Sequence, residues 1–166
     1  MNTYTVGLAK IEVGDIAADG GIGTTLASLG YTYQDTCKMT MEDPEVTEHY
    51  AEEVDDPVIS ISRGGKTVFN FSVMDADLTT LKALLGGDVT GTAPAQKWEA
   101  PDKIPIIEKS VRITPEQGLK FEIIRMKLDA KINAEFSKKG IFLIDVVGTV
   151  LQPTKALAKK MTVTKI

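Results

Sequence analysis

The sequence predicts a mainly β fold, a β-sandwich or small β-barrel with one flanking α-helix, and three observations predict it. Runs that alternate apolar and polar residues recur along the chain, the mark of strands with one face turned to a core. Helical spacing of apolar residues occurs only once, where Leu78, Leu81, Leu84 and Leu85 follow one another. Glycine- and proline-rich stretches separate the patterned runs and supply the turns.

Residues 4–13 open the chain as a strand candidate, with Val6, Leu8 and Lys10 alternating against Thr5, Gly7 and Ala9. Gly14 and Asp15, then Asp19, Gly20, Gly21 and Gly23, predict a loop. Residues 24–33 are weakly patterned and read as irregular structure or a short turn of helix. Cys37, Met39 and Met41 alternate with Thr36, Lys38 and Thr40, which predicts a second strand.

The clearest stretch is 57–87. Ile59 and Ile61 share one face and Ser60 and Ser62 the other; after Gly64-Gly65, Phe69, Phe71 and Val73 share a face again. Two such runs joined by Gly-Gly predict a hairpin with a type I′ turn, because both central residues then need positive φ. Ile59, Ile61, Phe69 and Phe71 are therefore expected in the core. Asp75 offers an acceptor for a helix start, the four leucines seal the sheet, and Gly86-Gly87 makes a left-handed exit.

Residues 87–105, rich in Gly, Pro and Ala around Trp98, read as a long surface loop. Residues 106–113 form a strand closed by Thr114-Pro115, and Gln117-Gly118 begins the next. There Leu119, Phe121 and Ile123 share a face, while Ile124, Met126, Leu128, Ala130 and Ile132 continue on the other. That change of phase predicts a bulge or a bend. Residues 141–151 are apolar on both faces apart from Asp145 and Thr149, as in a central strand, and 153–166 carry no core pattern.

With 166 residues, 43% of them hydrophobic, and a mean hydropathy of −0.02, the chain suits one domain over 1–166 with a true core. No apolar run approaches the roughly 18–20 residues that cross a bilayer, so no membrane partner is expected. The first residues lack a secretion signal's pattern, and Cys37, the single cysteine, cannot form an internal disulfide. Synthesis in the cytoplasm is the expectation.

The net charge of −4 conceals a division. Residues 42–56 hold eight carboxylates (Glu42, Asp43, Glu45, Glu48, Glu52, Glu53, Asp55 and Asp56) and no Lys or Arg. Residues 152–166 hold four lysines (Lys155, Lys159, Lys160 and Lys165) and no acid. Like charges so dense repel, so 42–56 reads as a mobile, extended arm and 152–166 as a basic one. These twelve residues are the candidates for contacts between subunits.

Catalytic and cofactor patterns fail on inspection. Gly64-Gly65-Lys66-Thr67 ends like a phosphate-binding loop, but Ser60 stands where the first Gly belongs and a strand follows instead of a helix. Asp75 and Asp77 start like a calcium loop that lacks its central Gly and closing Glu; helix capping is the simpler reading. His49, the only imidazole, lies in the acidic segment and completes neither a zinc site nor a catalytic triad with Cys37 or any Ser. No cofactor, metal or enzymatic activity is expected. An acidic pI of about 5.1 and the lack of basic residues interleaved with aromatics argue against nucleic-acid recognition.

The order of these features resembles the tail tube, or major tail, proteins of long-tailed bacteriophages and prophages. The resemblance runs from Gly7-Leu-Ala-Lys-Ile-Glu-Val-Gly14-Asp15-Ile16 with Asp19-Gly20, through the acidic arm and the strand with Phe69 and Phe71. It continues to the helix ending Leu84-Leu85-Gly86-Gly87 and the late strands closing near Pro153. It implies a sandwich or barrel with one helix, like the tubes of related injection and secretion machines. It also implies stacked, hexameric rings around a lumen through which DNA passes without specific binding, and a place in the virion tail. Partners would be copies of the chain and other tail proteins such as tape measure, terminator and baseplate or tip components. In that family an early loop bridges rings, a role that falls here on 42–56, with 152–166 as a second bridging segment. A small-ligand or carbohydrate-binding β-domain is the alternative expectation.

Overall fold

A computed structural model describes residues 2–166. In chain order the elements are β1 (Lys10–Gly14), β2 (Ala27–Ser28), β3 (Lys38–Met41), β4 (Glu45–Tyr50), β5 (Pro57–Arg63), β6 (Thr67–Val73), α1 (Leu78–Leu85), β7 (Asp88–Thr90), β8 (Lys97–Glu99), β9 (Ile107–Thr114), β10 (Leu119–Ala134), β11 (Phe142–Val150) and β12 (Met161–Lys165). The protein is mainly β and antiparallel. Eight strands form one open sheet in the order β2-β1-β9-β10-β11-β6-β3, with β12 added on β10. β4–β5 and β7–β8 are separate two-stranded ribbons. Among the described residues no helix is long and apolar enough to cross a membrane.

The organising strand is β10, sixteen residues long. Its register against β9 slips between Ile123 and Met126, so one extra residue is accommodated there. Ahead of this bulge, Leu119 to Ile123 pair with β12; beyond it, Met126 to Ala134 pair with β11. Two strands thus follow each other along one side of β10 while β9 holds the other. Ser110, fully buried, faces the bulge: its hydroxyl donates to the Ile124 carbonyl at 2.7 Å and accepts the Gly23 N–H at 2.9 Å. The Arg125 carbonyl accepts the Leu151 N–H at 2.9 Å. Backbone groups freed by the irregularity therefore find partners. The phase change in the sequence is this bulge.

Arg125 secures the bend further. Its guanidinium donates to both Glu108 oxygens at 2.8 and 2.9 Å and to the Gln152 carbonyl at 3.1 Å, tying β9, β10 and the segment after β11 together. Hydrogen bonding from Arg125 holds the Glu108 carboxyl below the usual range. A carboxyl lowered in the folded state lends stability above its unfolded pKa of about 4.3, and loses it as pH falls through the folded value. Glu108→Gln is accordingly expected to unfold more easily than the parent at neutral pH, the gap closing as the solution is acidified. Thermal melts across that pH series would show it; a gap constant with pH would contradict it.

The core lies where β6, β9, β10 and β11 meet α1. Phe69, Phe71, Val73, Val111, Ile123, Met126, Leu128, Ile144 and Val146 are buried there, joined by Ile11, Val13 and Leu84. The rings of Phe69 and Phe71 stand 5.1 Å apart. Both were expected inside, and both are. Of the helix leucines, Leu84 is fully buried, while Leu78, Leu81 and Leu85 are half-buried along the sheet. The helix begins one residue pair later than Asp75 suggested: Asp77 is the cap, accepting the Thr80 N–H at 2.8 Å. Asp75 accepts the Tyr31 N–H at 2.5 Å instead. Both exit glycines take positive φ, 77° at Gly86 and 79° at Gly87, but Gly86, with ψ −153°, is extended rather than left-handed helical.

Several sequence expectations are corrected. β5 does not pair with β6. It pairs with β4, while β6 lies between β3 and β11. Gly64 and Gly65 form no positive-φ turn; they carry the chain from the β4–β5 ribbon into the sheet. Gly65 is needed there because a Cβ would stand 2.1 Å from the Glu42 carbonyl oxygen. Ile59 and Ile61 therefore leave the core: they are 52% and 56% exposed. At the N-terminus the buried pair is Ile11 and Val13, out of phase with Val6 and Lys10, which are exposed. Residues 24–33 are irregular, the first of the two expectations, apart from the two-residue β2. The 87–105 stretch folds as the β7–β8 ribbon, where the Trp98 indole donates to the Gly86 carbonyl at 2.8 Å. Residues 153–166 supply β12.

Candidate assembly surfaces

The β4–β5 ribbon is the most unusual surface of the molecule. Its register places Glu45 opposite Arg63, Thr47 opposite Ile61 and His49 opposite Ile59. Directly opposed residues share a face, so Ile59 and Ile61 sit beside Thr47 and His49 on one side. Val46 with Ser62 and Glu48 with Ser60 occupy the other, before a bulge sets Tyr50 opposite Pro57. Every residue of both strands is exposed. A two-stranded hairpin is at best marginally stable alone in water. Here Val46, Tyr50, Val58, Ile59 and Ile61 add exposed apolar surface on a charged ribbon, a composition that marks interaction sites.

The eight carboxylates of 42–56 line β4, its approach and the turn into β5. Among the described residues only Glu42 meets a cation, Lys66 at 3.7 Å. Asp43, Glu45, Glu48, Glu52, Glu53, Asp55 and Asp56 form no ion pair. Tyr50 donates its hydroxyl to Glu48 at 2.7 Å, which pushes the phenol's pKa up. The segment is extended, as its charge suggested, yet it is a strand with a partner, which sequence reasoning missed.

The basic candidates divide. Lys155 is held by Asp19 at 2.6 Å, an ion pair that ties the residues after β11 to the loop after β1 and lowers the Asp19 carboxyl's pKa. Lys159 and Lys160 are exposed and unpaired just ahead of β12, near the exposed Leu157, and Lys165 ends β12 opposite Leu119. Sequence reasoning also overlooked the turn between β10 and β11. It carries Phe136, 93% exposed, followed by Lys138 and Lys139, neither of them in an ion pair. Phe136 gave a faint signal, as a lone aromatic amid polar residues.

Clefts open on the surface as well. One of about 550 Å³ is bordered by Tyr31, Tyr33, Cys37 and Phe121. Burial raises the Cys37 thiol's pKa, which disfavours the reactive thiolate. Another, of about 420 Å³, lies between α1, Trp98, Ile104 and the β10 residues Leu128 and Ile132. Among the described residues, no three His, Cys, Asp or Glu side chains are grouped to hold a metal ion. His49 is exposed on the ribbon, and Asp75 and Asp77 both accept backbone N–H groups. No protein-family model matches the chain, and no curated protein is significantly similar to it.

Proposed function

We propose that the protein is a structural, non-enzymatic subunit that assembles with copies of itself, in the manner of the tail tube proteins its sequence resembles. The observation that carries this reading is the β4–β5 ribbon: two strands exposed on both faces, bearing apolar side chains and carboxylates that form no ion pair, even though Arg63 stands opposite Glu45. A second subunit would bury the first and neutralise the second. The open ends of the eight-stranded sheet add unpaired backbone edges, which a neighbour's strand can complete. In this reading the bent sheet with α1 is the sandwich- or barrel-like body of a ring subunit. Rings, hexameric in the family it resembles, stack into a conduit in the virion tail, with tape measure, terminator and baseplate or tip proteins as further partners. An acidic surface suits a passage for DNA, because adhesion to phosphates needs Lys or Arg.

Electron microscopy and light scattering of the concentrated protein test the proposal. Rings or tubes are expected, and raising ionic strength from about 0.1 M to about 1 M should weaken them, as screening shortens from about 10 Å to about 3 Å. A monomer at every concentration, also with tail partners present, would remove the proposal. The reading as a small-ligand or carbohydrate-binding domain draws on the cleft with Tyr31, Tyr33 and Phe121. It predicts saturable binding to the monomer, lost in Tyr31→Ala.

A further inference from the structure

We infer that the β10–β11 hairpin tip of one copy seats on the face of the β4–β5 ribbon that carries Ile59 and Ile61 in a second copy. The inference rests on the self-assembly reading and names its contact. Both parts are exposed, and their charge is predominantly opposite. The ribbon presents two exposed isoleucines on the face that carries Glu45 and, opposite it, Arg63, with Glu52 and Glu53 at its turn; none of these carboxylates is in an ion pair. The tip is basic on balance: Phe136 is exposed beside Glu135, whose carboxylate accepts the Ser137 hydroxyl at 2.9 Å, and Lys138 and Lys139 follow with no acid paired to either.

An aromatic side chain can cover the isoleucine strip while the lysines meet the flanking carboxylates. Apolar burial supplies the attraction, and charge sets the register. The tip is also well supported, for β10 and β11 pair over nine consecutive positions up to Ala134 and Phe142. A stiff support lowers the ordering cost of docking. The lysines after β11 fit less well: Lys155 is occupied by Asp19, and no aromatic accompanies Lys159 and Lys160. Because tip and ribbon are different parts of the chain, the contact is head-to-tail and propagates through copies. One such contact is small, so assembly depends on its repetition.

Charge exchange tests the pairing. Lys138→Glu with Lys139→Glu should raise the protein concentration at which light scattering detects assembly by about tenfold or more, a loss of about 1.4 kcal/mol. Glu52→Lys with Glu53→Lys should do the same. A mixture of these two variants should recover assembly, since each restores the other's missing contact. Unchanged melting temperatures would show that the folds are intact, as expected for exposed positions. Assembly of the tip variant at the parent's concentration, or a mixture no better than its parts, would overturn the inference. Loss confined to Lys159→Glu with Lys160→Glu would also overturn it, moving the contact to the segment before β12 and leaving self-assembly standing. A parent protein that never assembles would defeat self-assembly itself.

Discussion

Replacing Phe71 by Ala is expected to destabilise the folded chain by about 3–5 kcal/mol, the range for deleting a buried aromatic side chain. Phe71 is 2% exposed. It lies opposite Val146 in the β6–β11 ladder, and its ring packs 5.1 Å from that of Phe69. β6 is hydrogen-bonded on both sides, to β3 and to β11, so the backbone has little freedom to collapse into the space left. Transfer and cavity contributions therefore add rather than relax away. Urea denaturation with an unchanged slope and a lower midpoint is the expected record. A loss below about 1 kcal/mol would mean that the Phe69–Phe71 cluster is not the centre of the core.

Ile59→Ser combined with Ile61→Ser is expected to give the opposite pattern. The monomer's melting temperature should stay within the scatter of surface substitutions, about 0.5 kcal/mol, because both side chains are more than half exposed. Assembly should be lost, since the apolar strip that a neighbour would cover is gone. The two double readouts separate core from interface. A serine variant that melts much earlier would return these isoleucines to the core; one that still assembles normally would take the ribbon out of the interface.

Alternation alone could not tell these pairs apart. Ile59 and Ile61 alternate with Ser60 and Ser62 as cleanly as Phe69 and Phe71 do with Asn70 and Ser72. Period two reports that a strand has an apolar face, and says nothing about what that face meets. The distinguishing information is in the partner. β4 offers Thr47 and His49 opposite the isoleucines, whereas β11 offers Val146 and Gly148 opposite the phenylalanines. A Gly-Gly pair between two alternating runs then suggested the wrong pairing. Close approach of the Glu42 carbonyl, a non-local fact, is what demands Gly65. The β10 bulge was legible because a phase slip within one strand is written in consecutive residues. β12 was not, for its Met161 and Val163 lie among lysines and threonines and gain order only through pairing with β10. The charge division was plain in the sequence, but not that the acidic half forms a strand with β5.

The way the ribbon joins the body has a mechanical consequence. Its two legs run into β3 and β6, which are neighbours, and the Glu42 N–H donates to the Lys66 carbonyl at 2.9 Å where the legs meet the sheet. Tension on the ribbon is shared by both legs, so it does not peel β3 from β6. It passes instead into the β6–β11 ladder, along the strand direction, where the rungs from Val68 to Val73 bear the load together. A joint loaded in that direction yields only when many hydrogen bonds fail at once, which makes this exposed strip a firm handle by which one molecule can be pulled.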